Sequence, residues 1–230
     1  IVPKARKLTK ISYDEMLEMA SLGAKVLHPR SVEMGMKYNI PVQVLSSFGE
    51  AVGSDLPGTL MTREEDIMEQ EVVNGIACNR DEAKVTIFDM SDRPGIAAAV
   101  FGPLATAGIN VDMIVQNISP DGKTTDMTFT VAKSDLARAM DLVRNAKDLQ
   151  GCEIEADENV VKVSVVGIGM KSHAGVAQTM FKTLADKGIN ILVISTSEIK
   201  ISVLIAADYA ELAVRALHEA YKLEKPHKVA

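Results

Sequence analysis

The chain has 230 residues, enough for two or three small domains, and is 47% apolar and 24% charged, which excludes a disordered chain. A net charge of −6, no Lys/Arg cluster and only 4% aromatic residues argue against nucleic-acid binding. No apolar run reaches the ~20 residues of a membrane span.

Ile1 is not a start methionine and no signal-peptide pattern follows it, so a piece of a longer cytoplasmic protein is expected. Ser12-Tyr13-Asp14-Glu15 reads as a capping box, opening a helix with Met16, Leu17, Met19 and Ala20 on its apolar stripe. Pro29 suits the first turn of a second helix through about Tyr38. "IPVQVLSS" (40–47) alternates like a strand, and "DLPGTLMT" (55–62) gives a turn and a short strand. Two helices and one or two strands make a poor independent core, so 1–62 is expected to be the tail of a larger α/β domain. "REEDIMEQE" (63–71) is a charged, solvated linker, and "VVNGIAC" (72–78) a strand.

A repeat begins at 83. "AKVTIFDM", "RPGIAAAVFGPLATAG", "INVDMIVQNIS", "KTTDMTFTV" and "SDLARAMDLVRNA" read strand, helix, strand, strand, helix. From 160 the same order returns in "VVKVSVVGIG", "HAGVAQTMFKTLADKG", "INILVISTS", "IKISVLIA" and "DYAELAVRALHEAYKL". Gly95 and Gly175, Ala97 and Ala177, Phe101 and Phe181, Leu104 and Leu184, Gly108 and Gly188, and Asn110 and Asn190 all match at one offset of 80. A period this long marks a duplicated domain, and each copy is ferredoxin-like once a final strand is found. "GCEIEAD" (151–157) can supply it for the first copy. The second copy ends in a helix, so its missing strand is sought in "VVNGIAC", which would interleave the two units. The expected boundaries are 72–157 for the first unit, with 72–78 able to belong to the second, and 158–230 for the second. Gly108 and Gly188 are read as the left-handed residues that end a helix.

Catalytic chemistry is hard to place. His28, His173, His218 and His227 are scattered, and there is no HExxH, Cys/His metal spacing, GxSxG or P-loop. Cys78 and Cys152 read as buried thiols, a disulfide between them being the alternative. The strongest ligand candidate is "DMSDRPGIAA" (89–98). Pro94 and Gly95 open a helix whose free N–H groups suit a carboxylate, and Asp92 beside it suits an ammonium. Together these complement a zwitterionic amino acid, with Gln116 on the facing strand as a further partner. The alternative is that Ser91 or Asp92 only caps the helix. The second copy has "GIGMKSHAG" (167–175), where Ser172 or His173 can cap but no acid stands in the place of Asp92. "STSEIKIS" (195–202) places Ser195, Ser197 and Glu198 at a strand end, by default a polar turn.

Taken together, "ISYDEMLEMASLGAKVLHPRSVE", "SDRPGIAAAVF", "NVDMIVQNIS…TTDMTFT" and "GMKSHAGVA…INILVISTSEIKISVLI" resemble the C-terminal half of bacterial aspartokinase over essentially the whole chain. The resemblance implies an α+β chain with two tandem ferredoxin-like ACT domains that sense amino acids, preceded by the end of an amino-acid-kinase domain. It implies a last ATP contact at Lys25 and Val26 and no catalytic or metal-binding residue in this chain. ATP and Mg²⁺ would serve the full enzyme, whose reaction opens the route to lysine, threonine and methionine. A threonine pocket is implied at Asp92, Gly95, Ala97 and Gln116, closed by Asn190 and Ile191. Asp112, Ser119, Thr128, Ser197 and Glu198 match positions tied to lysine binding or feedback resistance. Relatives often carry Pro and Thr where Ala174 and Ala177 stand, which weakens the lysine assignment against the threonine one. The implied partners are a second copy through the ACT domains, with Met113, Ile114, Val193 and Ile194 contributing, or a full-length subunit in an α2β2 assembly. Two other readings stand beside this one. A free-standing amino-acid-binding module would have no use for "GAKVLHPRSVE", and an acylphosphatase-like enzyme would need an Arg and Asn on a phosphate loop that is not found.

Overall fold

A computed structural model describes residues 1–46, 58–67 and 72–224. The first segment carries β1 (Lys10–Ser12), α1 (Tyr13–Ser21), α2 (Pro29–Tyr38), β2 (Val42–Val44) and β3 (Thr59–Thr62). The capping box forms as the sequence requires: the Glu15 N–H donates to Ser12 Oγ at 3.2 Å, and the Ser12 N–H donates to Glu15 Oε2 at 3.4 Å. Pro29 is the first residue of α2, where its missing N–H costs no helical bond. β1 lies parallel to β3 and β2 antiparallel to it, over a small core of Ile11, Tyr13, Met16, Ala20, Val32 and Met61. In the linker, a short 3₁₀ turn at Glu64–Asp66 is held by Arg63 and Asp66; residues 68–71 of it, like 47–57 of the preceding strand and turn, lie outside the described residues.

Next come β4 (Gly75–Asn79), β5 (Ala83–Ser91), α3 (Ile96–Thr106), β6 (Val111–Ile118), β7 (Thr124–Val131), α4 (Leu136–Arg144) and β8 (Ile154–Asp157). The second repeat forms β9 (Val160–Val166), α5 (Val176–Asp186), β10 (Val193–Thr196), β11 (Lys200–Ala206) and α6 (Ala210–Ala220). The two antiparallel sheets run β6-β7-β5-β8 and β10-β11-β9-β4, each with two helices on one face. These are the two ferredoxin-like units of an α+β chain. β4 precedes the first unit in sequence yet pairs with β9 of the second.

Both glycine helix exits take the same form. The Ile109 N–H donates to Leu104 O and the Gly108 N–H to Ala105 O, each at 3.0 Å, with Gly108 at φ 71°. Ile189, Leu184, Gly188 and Ala185 repeat the pattern at 2.9 Å, with Gly188 at φ 68°. This pair of bonds satisfies carbonyls that a helix end leaves orphaned, and it needs the left-handed residue. Ile109 and Leu104 then pack together in one core, and Ile189 and Leu184 in the other.

The second sheet is covered on both faces, and all seven residues of β9 are buried. Val161, Val163 and Val165 face α5 and α6. On the opposite face Val166 meets Leu22 and Ala77, while Val160 meets Met113, Val193 and Leu204. α1 and the first unit therefore both pack on the second unit. Met113 and Val193, expected at an interface between chains, are buried within this one; Ile114 and Ile194 remain exposed. The reason for Met113 is a bulge in β6 between Asp112 and Val115, where Met113 takes φ 49° and turns towards the second unit. Among the described residues no helix is long and apolar enough to cross a membrane.

Candidate functional site

The loop from β5 to α3 is shaped by a second bulge, between Ile87 and Met90, with Asp89 at φ 54° and its N–H donating to Asp126 Oδ1 at 2.9 Å. The bulge buries Met90 and leaves Ser91 exposed at the strand end. The Asp92 N–H then donates to Lys123 O at 2.9 Å, and Arg93 pairs with Asp148. Helix α3 begins after Gly95, at φ 92°, with no side-chain cap. Neither Ser91 nor Asp92 caps it, which corrects the capping alternative: the N-cap position falls on Gly95, which has no side chain, and Ser91 and Asp92 stand four and three residues before it. The N–H groups of Ala97 and Ala98 in the first turn have no intrahelical acceptor. The Asp92 carboxylate is half-buried and has no hydrogen bond or ion pair among the described residues. An unpaired carboxylate beside an open helix start offers charge of both signs within one loop.

Gln116 is exposed on β6, an edge strand, opposite Met127. Since Ser91 pairs with Thr124 and Ile118 with Thr125, β5 and β6 finish at the same end of the sheet, which places Gln116 on the side of Asp92. Asn190 and Ile191 are elsewhere: they precede β10, whose Val193 packs on Met113 near the start of β6. Among the described residues no hydrogen bond joins them to the Asp92 loop.

In the second unit the corresponding loop is a 3₁₀ turn at Ile168–Ser172, and α5 starts after Gly175 at φ 96°. Ser172 and His173 do not cap α5; Ser172 Oγ donates back to Gly169 O at 3.3 Å, and the His173 ring lies 2.8 Å from the same oxygen. The repeat has kept the helix start and lost the acid.

The residues matched to lysine or feedback are spread out. Ser119 closes the β6–β7 turn with Asp121 and Thr124 at 2.7 and 2.8 Å. Thr128 bonds Thr86 at 3.1 Å across the sheet. Ser197 and Glu198 occupy the exposed β10–β11 turn, with Glu198 at 3.6 Å from Lys171. Asp112 does something that sequence reading missed. Its Oδ2 accepts from Lys162 Nζ at 2.6 Å, and Lys162 also pairs with Glu82. Lys162 and Glu82 side chains are 4% and 5% exposed and Asp112 is 55% exposed, so one buried ammonium ties the two units together. Burial works against the charge on Asp112, but the hydrogen bond and charge of Lys162 outweigh it and hold its carboxyl below its ordinary value. Burial likewise works against the Lys162 ammonium, and Asp112 and Glu82 outweigh it and raise Lys162. The signal was a single lysine inside the apolar run "VVKVSVV".

A cavity of about 420 Å³ opens where the first segment meets both units, walled by Lys25, Asn79, Glu82, Asn110, Asp112 and Thr130 among others. It brings together Lys25 and Asp112, which the resemblance assigned to different roles, and the buried Thr130 hydroxyl on its wall has no hydrogen-bond partner among the described residues. Lys25 has φ 20°, and Val26 next to it is 69% exposed. Cys78 and Cys152, expected to be buried thiols or a disulfide, are free and only partly buried, and what burial they have pushes both thiols up. No group of three or more His, Cys, Asp or Glu among the described residues could hold a metal ion.

The ACT domain family matches residues 84–148 and 163–221, and the amino acid kinase family matches 1–46. An aspartokinase of Pseudomonas aeruginosa is 53% identical over 98% of the chain, and one of Helicobacter pylori 50% identical over 98%. The chain spans about half of each, 54% and 55%. Among solved structures, one of aspartokinase alpha and beta subunits is 46% identical with a TM-score of 0.61, covering 65% of this chain and 99% of its own. The ligand-free regulatory subunit of aspartate kinase from Thermus thermophilus is 42% identical with a TM-score of 0.61, covering 65% and 98%. Aspartokinase III of E. coli, in complex with lysine and aspartate, is 26% identical with a TM-score of 0.72, covering 95% and 47%.

Proposed function

The chain belongs to the aspartokinase family, and from that premise we propose that it is the regulatory part of an aspartate kinase, with a threonine site at the Asp92 loop. The complete enzyme transfers the γ-phosphoryl group of ATP to the side-chain carboxylate of L-aspartate. Mg²⁺ would accompany ATP in that complete enzyme. Lys25 and Val26 stand exposed in the turn between α1 and α2, where a last contact with ATP is accessible.

The carrying observation is the unpaired Asp92 carboxylate beside the uncapped start of α3. An α-amino acid fits it with its carboxylate at the Ala97 and Ala98 N–H groups, its ammonium at Asp92 and its side chain towards Gln116. Asn190 and Ile191 of the same chain lie with the other end of β6, so a second copy of this chain, or a full-length subunit, would close the pocket with its own. Ile114, Ile118, Leu192 and Ile194, exposed at 53%, 62%, 40% and 43%, supply apolar surface for that pairing. Lysine is the second effector proposed, through Asp112 and the Ser197–Glu198 turn. Regulation then follows from differential binding: an effector favours the inhibited arrangement only as far as it binds that arrangement better.

Replacing Asp92 by Asn tests this. No cap bond exists to be lost, so stability should change by less than ~1 kcal/mol. Threonine binding, followed by calorimetry, should weaken by roughly 1.5–3 kcal/mol, the cost of a hydrogen bond to a charged partner, or about tenfold or more. Unchanged threonine affinity in Asp92→Asn would place the pocket elsewhere.

A further inference from the structure

The second copy of the ligand loop has a different use, and Glu15 reveals it. Glu15 is 1% exposed. Its Oε2 serves the local capping box, accepting from Ser12 Oγ at 3.0 Å. Its Oε1 faces away from that box and accepts two long-range donors, Asn74 Nδ2 at 2.6 Å and the backbone N–H of Ile168 at 2.8 Å. Ile168 is the first residue of the 3₁₀ turn that replaces the Asp92 loop in the second unit. A buried carboxylate with only neutral donors is stable only while those donors stay in place, so it fixes their positions as well as its own.

The rest of α1 follows the second sheet. Met19 lies over Gly75, where a Cβ would stand 2.8 Å from its methyl group. Glu18 pairs with Lys200 at 3.0 Å. Leu22 packs on Ala77 and Val166, and a Cβ at Gly23 would stand 3.0 Å from Cys78 O. The helix is thus seated at both ends, on the loop through Glu15 and on β4 through Gly23. Its far end leads directly to Lys25.

We propose that Glu15 is a positioning residue that fastens the strand-to-helix loop of the second unit to α1, so that a displacement of this loop is passed to the Gly23–Lys25 turn. The two repeats have divided their work: the first receives an amino acid at its loop, and the second uses the equivalent loop to grip the kinase-type segment. The grip needs no ligand. Only the source of the displacement, a bound amino acid, rests on the proposed function.

Hydrogen exchange on the whole 230-residue chain, without ligand, tests the grip. In Glu15→Ala, exchange should rise tenfold or more at Ile168 and through Leu22–Lys25 together, while β7 of the first unit stays within twofold of the parent. Glu15→Gln keeps an acceptor oxygen for the Ile168 N–H and should stay within threefold. Parent-level exchange at either segment in Glu15→Ala, or equal exchange in Glu15→Gln and Glu15→Ala, would overturn the proposal. Should Glu15→Ala not fold, Asn74→Ala removes one inter-segment donor without touching α1; a threefold rise at Ile168 is then expected, and no rise overturns the grip. Threonine provides the second readout. It should alter exchange at Leu22–Lys25 in the parent, and in Glu15→Ala it should still bind by calorimetry without that change. If threonine does not bind the parent, the proposed function fails and the ligand-free result decides the grip by itself. If it binds and the change persists in Glu15→Ala, the grip is wrong.

Discussion

Lys162→Met should cost this chain about 3 kcal/mol, and the structure shows where that figure arises. The substitution keeps most of the side-chain volume, so little comes from a cavity. What it removes is the ammonium between Glu82 and Asp112. Asp112, 55% exposed, can turn to water. Glu82, 5% exposed, cannot, and keeps one donor, Asn79 Nδ2 at 2.8 Å. Stranding one buried charge typically costs about 3–5 kcal/mol, and rehydration of Asp112 sets the expectation at the lower end. For a chain of this size that is a melting-temperature fall of roughly 6–12 °C. Urea unfolding followed by circular dichroism measures the loss directly. The double variant Lys162→Met with Glu82→Gln should recover at least half of it, because the stranded charge is gone, and Asp112→Asn alone should cost under ~1 kcal/mol. A Lys162→Met chain within ~0.5 kcal/mol of the parent would refute the claim that this ammonium holds the two units together.

Acid should weaken the same contact and mild alkali should not. The depressed Asp112 contributes stability above its ordinary value of ~3.9 and loses it as pH falls through the lower folded value, whereas the raised Lys162 contributes below ~10.4 and loses it only above that. The stability difference between the parent and Asp112→Asn should therefore be flat from about pH 5 to 9 and shrink steadily as pH falls below ~3.9; a difference that does not shrink in acid would contradict the assignment. Gly108→Ala and Gly188→Ala meet no neighbouring atom within 4 Å, so each should lose only the cost of a left-handed backbone, about 1 kcal/mol, in thermal unfolding. A much larger loss at either position would mean that the glycine serves packing instead.

What could be read in advance was local. The twin exits "LATAGIN" and "LADKGIN" state their own geometry, since a glycine after an apolar helix satisfies the last carbonyls in only a few ways. Ser12 to Glu15 and the Pro29 start are equally self-contained, and the second repeat was visibly one strand short because it ended on a helix. What stayed hidden depends on which surfaces meet. Glu15 announces a cap, and nothing within three residues of it announces Asn74 or Ile168. Met113 follows an alternating pattern whose phase a bulge then changes, so a side chain assigned to a partner chain turns inward. Asp92 and Ser91 have good capping chemistry, yet the N-cap position falls on Gly95 and the helix start stays uncapped. Of the candidate pocket, the β5–α3 loop was legible because its residues are adjacent in sequence. The long-range pairs of Asp112 and the cavity beside Lys25 were not.

The exchange of β4 also sets an order of assembly. Asn79 must find Lys162 across the whole first unit, and as a flexible loop that closure would cost roughly 4 kcal/mol of chain entropy. Once the first unit has folded, Lys84 lies beside Asp157, and the open span shrinks to a few residues at each end. Closure then costs roughly 2 kcal/mol. On a ribosome adding about 5–20 residues per second, β4 waits several seconds for its partner, an unpaired edge in the meantime. The first unit, which can fold during that wait, acts as the clasp that brings the two halves of the second together.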